Sequence, residues 1–409
     1  MRILIVSQYF WPEEFRINDV AKTLVEKGVA VDVLTGKPNY PSGRLFDGYQ
    51  FCGVQHQNWN GINAYRIPLL VRGSGGVRLA LNYLSFVISG LLIAPWLFRK
   101  KKYDAIFIYG TSPILQAIPA LFLGRLKKLP TVLWVQDLWP ESLTATGYVR
   151  NNVIVAVVRS VVRWIYRNTS VLLVQSQAFV EPVRALAGST PIKYYPNSVD
   201  ASFAIPASGS MPAVFGMDAG FSVMFAGNIG SAQAVEVIVD AATRLKKHAD
   251  IQFVVLGDGS SRAWMQQQAK ERGLANLHLP GRFPVETMPA FMQKASALLV
   301  TLADREIFAA TVPNKVQAYM AAGRPIIACL PGEGARLVSE AGAGIAVRAE
   351  DGAALAAAVM QLYRMTESER EVLGRKGRAY FHEHFDHVKL VDQLIVQLQE
   401  VAENNKGKQ

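Results

Sequence analysis

Cysteine is nearly absent: Cys52 and Cys329 are the only two in 409 residues. The chain therefore has no disulfide framework and no thiolate set for a zinc centre, which favours a reducing, cytoplasmic setting; we expect neither a metal nor a cofactor. The glycine loops of two common nucleotide folds are missing too. The first apolar run ends in SQYFWPEEF rather than GxGxxG, which disfavours a dinucleotide-dependent dehydrogenase, and no GxxxxGK[ST] segment occurs for a P-loop nucleotidase. The opening MRILIVSQ is too short and too soon polar for a signal peptide. It reads as a buried strand, and the protein is not expected to be secreted.

Charge of one sign is in excess. A formal charge of +11 allows an anionic membrane, nucleic acid or a phosphorylated substrate as partner and does not choose among them. One long apolar run, residues 79–98, follows Arg78 and precedes Arg99, Lys100, Lys101 and Lys102, and is interrupted by Asn82, Ser85 and Ser89. A membrane span, an interfacial helix and an ordinary core helix all fit it. A second basic helix is predicted over 152–168, where Arg159, Arg163 and Arg167 fall opposite Val155, Val158, Val162 and Ile165. That face suits either solvent or lipid head groups.

Short apolar runs alternate with helical patterns along the whole chain, which argues for an α/β fold of parallel sheets with crossover helices. Strands are predicted at 3–6, 29–34, 64–67, 105–108, 131–135, 171–174 and 192–195, and again at 222–226, 251–256, 278–279, 297–301, 326–329 and 345–347. The stretch 196–220, rich in Pro, Ser, Ala and Gly, separates two similar halves. We expect an N-terminal domain over 1–197, a C-terminal domain over 198–385, a cleft between them, and a last helix over 386–409 that packs back across the junction.

Ligands of open parallel sheets sit beyond the strand carboxyl ends, and the polar residues cluster there. In the second half Gly227, Asn228 and Gly230 follow one strand, Gly257 and Asp258 the next, and Arg282 a third. The segment 311–327, TVPNKVQAYMAAGRPII, reads as a helix start that attracts phosphate: Thr311 as N-cap, Pro313 in the first turn, Asn314 and Lys315 at the free amides. In the first half Glu13, Glu14 and Arg16 follow the first strand, Asn39 and Tyr40 another, and Asp137 and Glu141 a third. Carboxylates, an arginine and aromatics at strand ends suit a sugar. Taken singly, each could be a turn, a cap or a surface residue.

In their order along the chain, QYFWPEEFRIND, LTGKPNYPSG, VQDLWPES, YYPNSVD, FAGNIGSAQ, LGDGS, LPGRFP and VPNKVQAYMAAGRPI resemble the retaining GT-B glycosyltransferases of family 4, the glycogen-synthase-like group. PNYPSG and DLWPES are similar to bacterial enzymes of O-antigen, capsule and exopolysaccharide synthesis, such as N-acetyl-L-fucosamine transferases. The resemblance implies two Rossmann-like domains facing a central cleft, a nucleoside-diphosphate sugar on the second, the acceptor on the first, no metal, and transfer with retention. It implies sugar contact or proton handling for Asp137. The chain departs from the group where relatives carry cations, at Asn228 and Gln233, and where they carry a glutamate pair, at Ala310 and Ala318; Glu306 is out of register with that pair, and Phe15 and Arg16 replace a glycine pair. The expected enzyme adds a sugar, such as an N-acetylated deoxyhexose, to a polyprenyl-diphosphate-linked glycan. It would sit peripherally on the inner face of the cytoplasmic membrane and bind no nucleic acid. A non-catalytic scaffold and a nucleotide-sugar epimerase are the alternatives.

Overall fold

The computed structural model describes residues 1–73, 75–145, 151–199, 212–218 and 220–407. The chain divides into two compact units, Met1–Pro196 with Val388–Gln409, and Asn197–His387. Within the expected 196–220 junction, residues 200–211 and 219 lie outside the described residues.

The first unit runs β1 (Arg2–Val6), α1 (Arg16–Glu26), β2 (Ala30–Gly36), β3 (Gln55–Trp59), β4 (Ile62–Ile67), α2 (Gly76–Leu97), β5 (Ala105–Gly110), α3 (Ala117–Lys127), β6 (Thr131–Val135), α4 (Glu141–Ala145), α5 (Asn152–Arg167), β7 (Val171–Val174), α6 (Val180–Ala187) and β8 (Ile192–Tyr194). These strands form one sheet in the order β3-β4-β2-β1-β5-β6-β7-β8. All pairs are parallel except β3 with β4. Central strands such as AIFIYG and TVLWV are buried at every position, as expected of a parallel sheet covered on both faces. The last helix, residues 387–406, lays Leu390, Val391, Leu394 and Leu398 into the core of this unit, in one cluster with Ile3, Ile5, Trp134 and Leu173.

The sequence reading missed β3. QHQNW is polar, and as an edge strand it buries little on either side. Its signal was the turn that follows: Asn60 and Gly61 both take positive φ, 49° and 81°, as a two-residue hairpin with the native twist requires.

The second unit runs β9 (Phe221–Ala226), α7 (Glu236–Leu245), β10 (Ile251–Leu256), α8 (Arg262–Glu271), β11 (Leu277–Gly281), α9 (Met288–Lys294), β12 (Ala297–Thr301), α10 (Glu306–Ala310), α11 (Asn314–Ala322), β13 (Ile326–Cys329), α12 (Glu333–Glu340), β14 (Gly344–Val347), α13 (Gly352–Arg364) and α14 (Glu367–His384). Its sheet has the order β11-β10-β9-β12-β13-β14 and is wholly parallel. The strand order reverses between β1 and β5 in the first sheet and between β9 and β12 in the second. Crevices of open α/β sheets form at such reversals.

The start of α11 differs from the sequence expectation. Thr311 is not its N-cap: Thr311 ends α10, its hydroxyl donates to Ile307 O at 2.9 Å, and Pro313 holds the N-cap position in extended backbone without a side-chain bond. A short helix lies just upstream, so the threonine serves that helix instead. At the other end Gly323 adopts φ 70°, and Arg378 of α14 donates to Ala321 O and Ala322 O, satisfying carbonyls that the helix leaves open.

Candidate active site

In the second unit the loops after β9, β10 and β11 lock onto one another through backbone. Gly227 N donates to Leu256 O, Gly257 N to Gly281 O, and Ile229 N to Asp258 O, each at 2.8 Å. A Cβ on Gly257 would lie 1.8 Å from Gly227 O, so only glycine permits this approach. The loops and the start of α9 enclose a pocket of about 330 Å³ lined by Gly227, Asn228, Gly257, Asp258, Arg282, Phe283, Val285 and Met288. Gly230 packs behind Asn228, whose amide donates to Gln233 Oε1 at 3.0 Å.

Lys315 comes to the same place from the first turn of α11. Its Nζ lies 3.8 Å from the centroid of the Phe225 ring, and a Cβ on Gly227 would touch its Cε and Nζ at 2.7 and 2.9 Å. Among the described residues no carboxylate pairs with this ammonium. Burial pushes its pKa down from 10.5 to about 8, because the charged form has lost water and gained only a π face. Asn314, beside it, is exposed, and Pro313 precedes them at the helix mouth. Six of the nine donor-side candidates, Gly227, Asn228, Gly257, Asp258, Arg282 and Lys315, thus meet at one pocket or against its wall.

In the first unit Asp137 follows β6 and reaches across to the loop after β5. Its Oδ2 accepts from Ser112 N at 2.8 Å and from Ser112 Oγ at 3.0 Å, while Trp139 Nε1 donates to the same hydroxyl at 3.1 Å. Its other oxygen has no hydrogen-bond partner among the described residues. Burial raises the pKa of this half-buried carboxyl, and the two Ser112 bonds oppose the rise.

Glu13 is a different kind of group. It is buried, and both oxygens are occupied by backbone: Oε1 accepts from Asn39 N and Tyr40 N at 2.8 and 2.7 Å, and Oε2 from Phe10 N at 3.3 Å. Burial raises its pKa to about 7 against the pull of those amides and of Arg66. This carboxylate pins the loop after β2 to the loop after β1. Asn39 is buried as well, and Tyr40 stands by Tyr9 and Phe15 with ring centroids 5.4 and 5.2 Å away. Arg16 reaches Asp19 at 3.5 Å, and Glu14 and Glu141 are exposed. Glu13, Asn39 and Tyr40 are therefore brought together, whereas Glu14 and Glu141 lie at the surface.

Arg72, Tyr83 and Ser112 were missed in the sequence. Arg72 places its guanidinium 5.3 Å from the centroid of the Tyr40 ring, which itself stands 5.4 Å from that of Tyr9, and its charge bears on the Tyr9 and Tyr83 hydroxyls. Four separate segments build this cluster, so no local spacing marks it. Asn82 and Tyr83 lie inside the apolar run, where polar residues had counted only as interruptions.

Residues 14–198 match the family described as glycosyl transferase 4-like domain, and residues 220–365 the family described as glycosyl transferases group 1. A protein of Escherichia coli (strain K12) named for colanic acid biosynthesis, the glycosyl transferase WcaI, is 24% identical over 341 residues, covering 79% of this chain and 82% of that one. A Pseudomonas aeruginosa protein named as a glycosyltransferase, WbjE, is 25% identical over 324 residues, 75% and 78% of the two chains. The fold resembles sucrose-phosphate synthase of Thermosynechococcus elongatus, with a TM-score of 0.73, 16% identity and 98% of both chains covered. It also resembles Anabaena HepE in complex with UDP and glucose, with a TM-score of 0.67, 18% identity, and coverage of 98% of this chain and 100% of that one. Two Rossmann-like α/β units of the GT-B type are the common architecture.

The Lys315 site has a consequence for stability. Its folded pKa lies below its unfolded value, so the ammonium costs stability below about pH 8, and the cost fades as pH rises from about 8 toward 10.5. Lys315→Met should therefore raise the melting temperature at pH 7, with the gain shrinking at pH 9 to 10. Thermal melts across that range check it, and a lower melting temperature at pH 7 would contradict it.

Proposed function

Because the chain is a glycosyltransferase, with a glycosyl transferase 4-like domain ahead of a glycosyl transferases group 1 domain, we propose that it moves a sugar from a nucleoside-diphosphate sugar on the second unit to a lipid-linked glycan precursor on the first, with retention. The observation that carries the donor reading is the unpaired, desolvated Lys315 ammonium against the Gly227 loop and its pocket. Such a charge is poised for an anion: it has already lost water, and a diphosphate restores a partner. The UDP bound to HepE supports a nucleoside diphosphate as that anion.

Asn228 and Gln233 hydrogen-bond each other and bring no charge, so Lys315 and Arg282 carry the diphosphate, with the amides of the Gly227 loop and the mouth of α11. Phe283, Val285 and Met288 offer the apolar wall for the nucleoside. Charge that develops on the departing diphosphate meets donors already in position, the largest source of rate in such sites. The acceptor hydroxyl attacks from the face that the diphosphate leaves. Asp137, with one oxygen held by Ser112 and one open, contacts the sugar or takes its proton; its raised pKa brings it nearer the range where it can do so. For the donor sugar we favour an N-acetylated deoxyhexose, on the likeness of PNYPSG and DLWPES, and for the pathway O-antigen, capsule or exopolysaccharide synthesis, supported by the name of the colanic acid relative.

The outer side of the first unit supports a peripheral place on the inner face of the cytoplasmic membrane. Among the described residues α2 is the one helix long and apolar enough to cross a membrane, yet its inner face is committed to protein: Asn82 accepts from Gln8 Nε2 and donates to Leu70 O. Outward it bares Val77, Leu81, Leu84, Ile88, Leu92 and Trp96. Next to it stands α3, and beside α3 stands α5; together they expose Phe122, Leu126, Val153, Val157 and Trp164. Arg99 stacks on Trp96 and Arg125 on Trp164, with guanidinium carbons 4.8 and 5.6 Å from the ring centroids. Apolar residues edged by arginines suit an anionic interface.

A screen of the purified full chain against nucleotide-sugars, with a short prenyl-diphosphate-linked glycan as acceptor, tests the reaction. Transfer is expected with one donor, and Asp137→Asn should lower turnover about tenfold or more, at least roughly 1.4 kcal/mol of transition-state stabilisation, with little change in nucleotide affinity. Unchanged turnover would make Asp137 a loop residue only. Cosedimentation should recover the protein with phosphatidylglycerol vesicles and release part of it in high salt, since each basic residue near the surface adds about 1 kcal/mol. Equal binding to neutral phosphatidylcholine vesicles would contradict the electrostatic part.

A further inference from the structure

We propose that Arg72 binds the diphosphate of the lipid-linked acceptor, which makes it the residue that selects a prenyl-diphosphate glycan over a neutral one; this rests on the lipid-linked acceptor proposed above and adds the group that reads it. Among the described residues no carboxylate lies within ion-pair distance of Arg72. Its guanidinium stands over the Tyr40 ring, 5.3 Å from the centroid, with the Tyr9 and Tyr83 hydroxyls within its electrostatic reach, and none of these groups neutralises its charge.

The arginine is held in place from its backbone outward. Arg72 N donates to Asn39 Oδ1 at 2.8 Å, and Asn39 is itself tied to the Glu13 carboxylate. The strap that carries Arg72 is fastened to α2, because Leu70 N donates to Ser85 Oγ at 2.9 Å and Leu70 O accepts from Asn82. A cation fixed in this way loses little freedom when an anion arrives, and a guanidinium fork matches phosphate oxygens in pairs.

Position then selects the ligand. Tyr83 of α2 feels the charges of both Arg72 and Asp137, the guanidinium lowering and the carboxylate raising the pKa of its hydroxyl. The same helix turns Val77 and Leu81 outward to solvent. A molecule with an isoprenoid tail, a diphosphate and a short glycan can lay its tail along the outer face of α2, its diphosphate on Arg72 and its acceptor hydroxyl at Asp137. A free sugar phosphate or a neutral glycolipid would leave one of these groups unused.

Equilibrium dialysis of the full chain tests this with radiolabelled farnesyl diphosphate, farnesol and inorganic pyrophosphate, each with UDP and GDP in excess to occupy the donor site. Farnesyl diphosphate should bind at least tenfold more tightly than either other probe. Arg72→Gln should weaken it tenfold or more, about 1.4 kcal/mol, and leave farnesol unchanged. Equal affinity of Arg72→Gln and the parent would overturn the role of Arg72, and pyrophosphate binding as tightly as farnesyl diphosphate would reduce the site to a simple anion site. Should Arg72→Gln melt early, Arg72→Lys keeps the charge and loses the fork; it should bind several-fold more weakly, and parental affinity would count against the assignment. A parent chain that binds no farnesyl diphosphate would overturn the lipid-linked acceptor itself.

Discussion

Parallel pairing is the constraint on which the rest of the molecule depends. Every strand except the β3 edge runs the same way as its neighbours, so each must be followed by a crossover, and every loop at a carboxyl end is delivered to one rim of its sheet. In the first unit that rim collects Glu13, Asn39, Ser112 and Asp137. In the second it collects Gly227, Gly257 and Arg282, with Lys315 on α11, between β12 and β13. The helices that make the crossovers have a second consequence: α2, α3 and α5 cover the first sheet with one face and must show another to the surroundings.

Glu13 and Lys315 differ in whether a counter-charge answers them. Glu13 is buried, but three backbone amides and Arg66 answer its carboxylate, and its work is to hold two loops together. Lys315 is half-buried against an aromatic ring, and no carboxylate among the described residues pairs with it. A fold gains nothing from a desolvated ammonium without a counter-charge, so its place against the Gly227 loop fits the diphosphate proposed above. Arg72, which stands over the Tyr40 ring with no carboxylate in ion-pair distance among the described residues, fits the second anion proposed for the acceptor.

What could be read from the sequence follows the same physics. Strands such as TVLWV and IQFVVL are buried on both faces and announce themselves as apolar runs with polar loops at their ends, so the sheets and most of the residues that gather at the Gly227 pocket were legible. β3 was not, because an edge strand needs no apolar run and only Asn60-Gly61 betrays the hairpin. Thr311 misled because a cap is defined by the helix it serves, and the short α10 carried no periodicity of its own. The Arg72 cluster was invisible for a stronger reason: Tyr9, Tyr40, Arg72 and Tyr83 come from four segments that only the tertiary fold brings together. In α2, Asn82 and Ser85 weaken the look of a span, but only the structure turns them inward onto Leu70 and leaves the leucines, the isoleucine and Trp96 outside.

The proposed transfer requires the donor diphosphate to be held by the carboxyl-end loops of the second sheet and by the start of α11. Hydrogen–deuterium exchange of the full chain with and without saturating UDP or GDP tests this most directly. One of the two nucleotides should slow exchange at residues 227–230, 257–260 and 314–316, and leave the loops around Glu13, Asn39 and Asp137 unprotected. Protection confined to those first-unit loops, with none at the Gly227 loop or Lys315, would contradict the account.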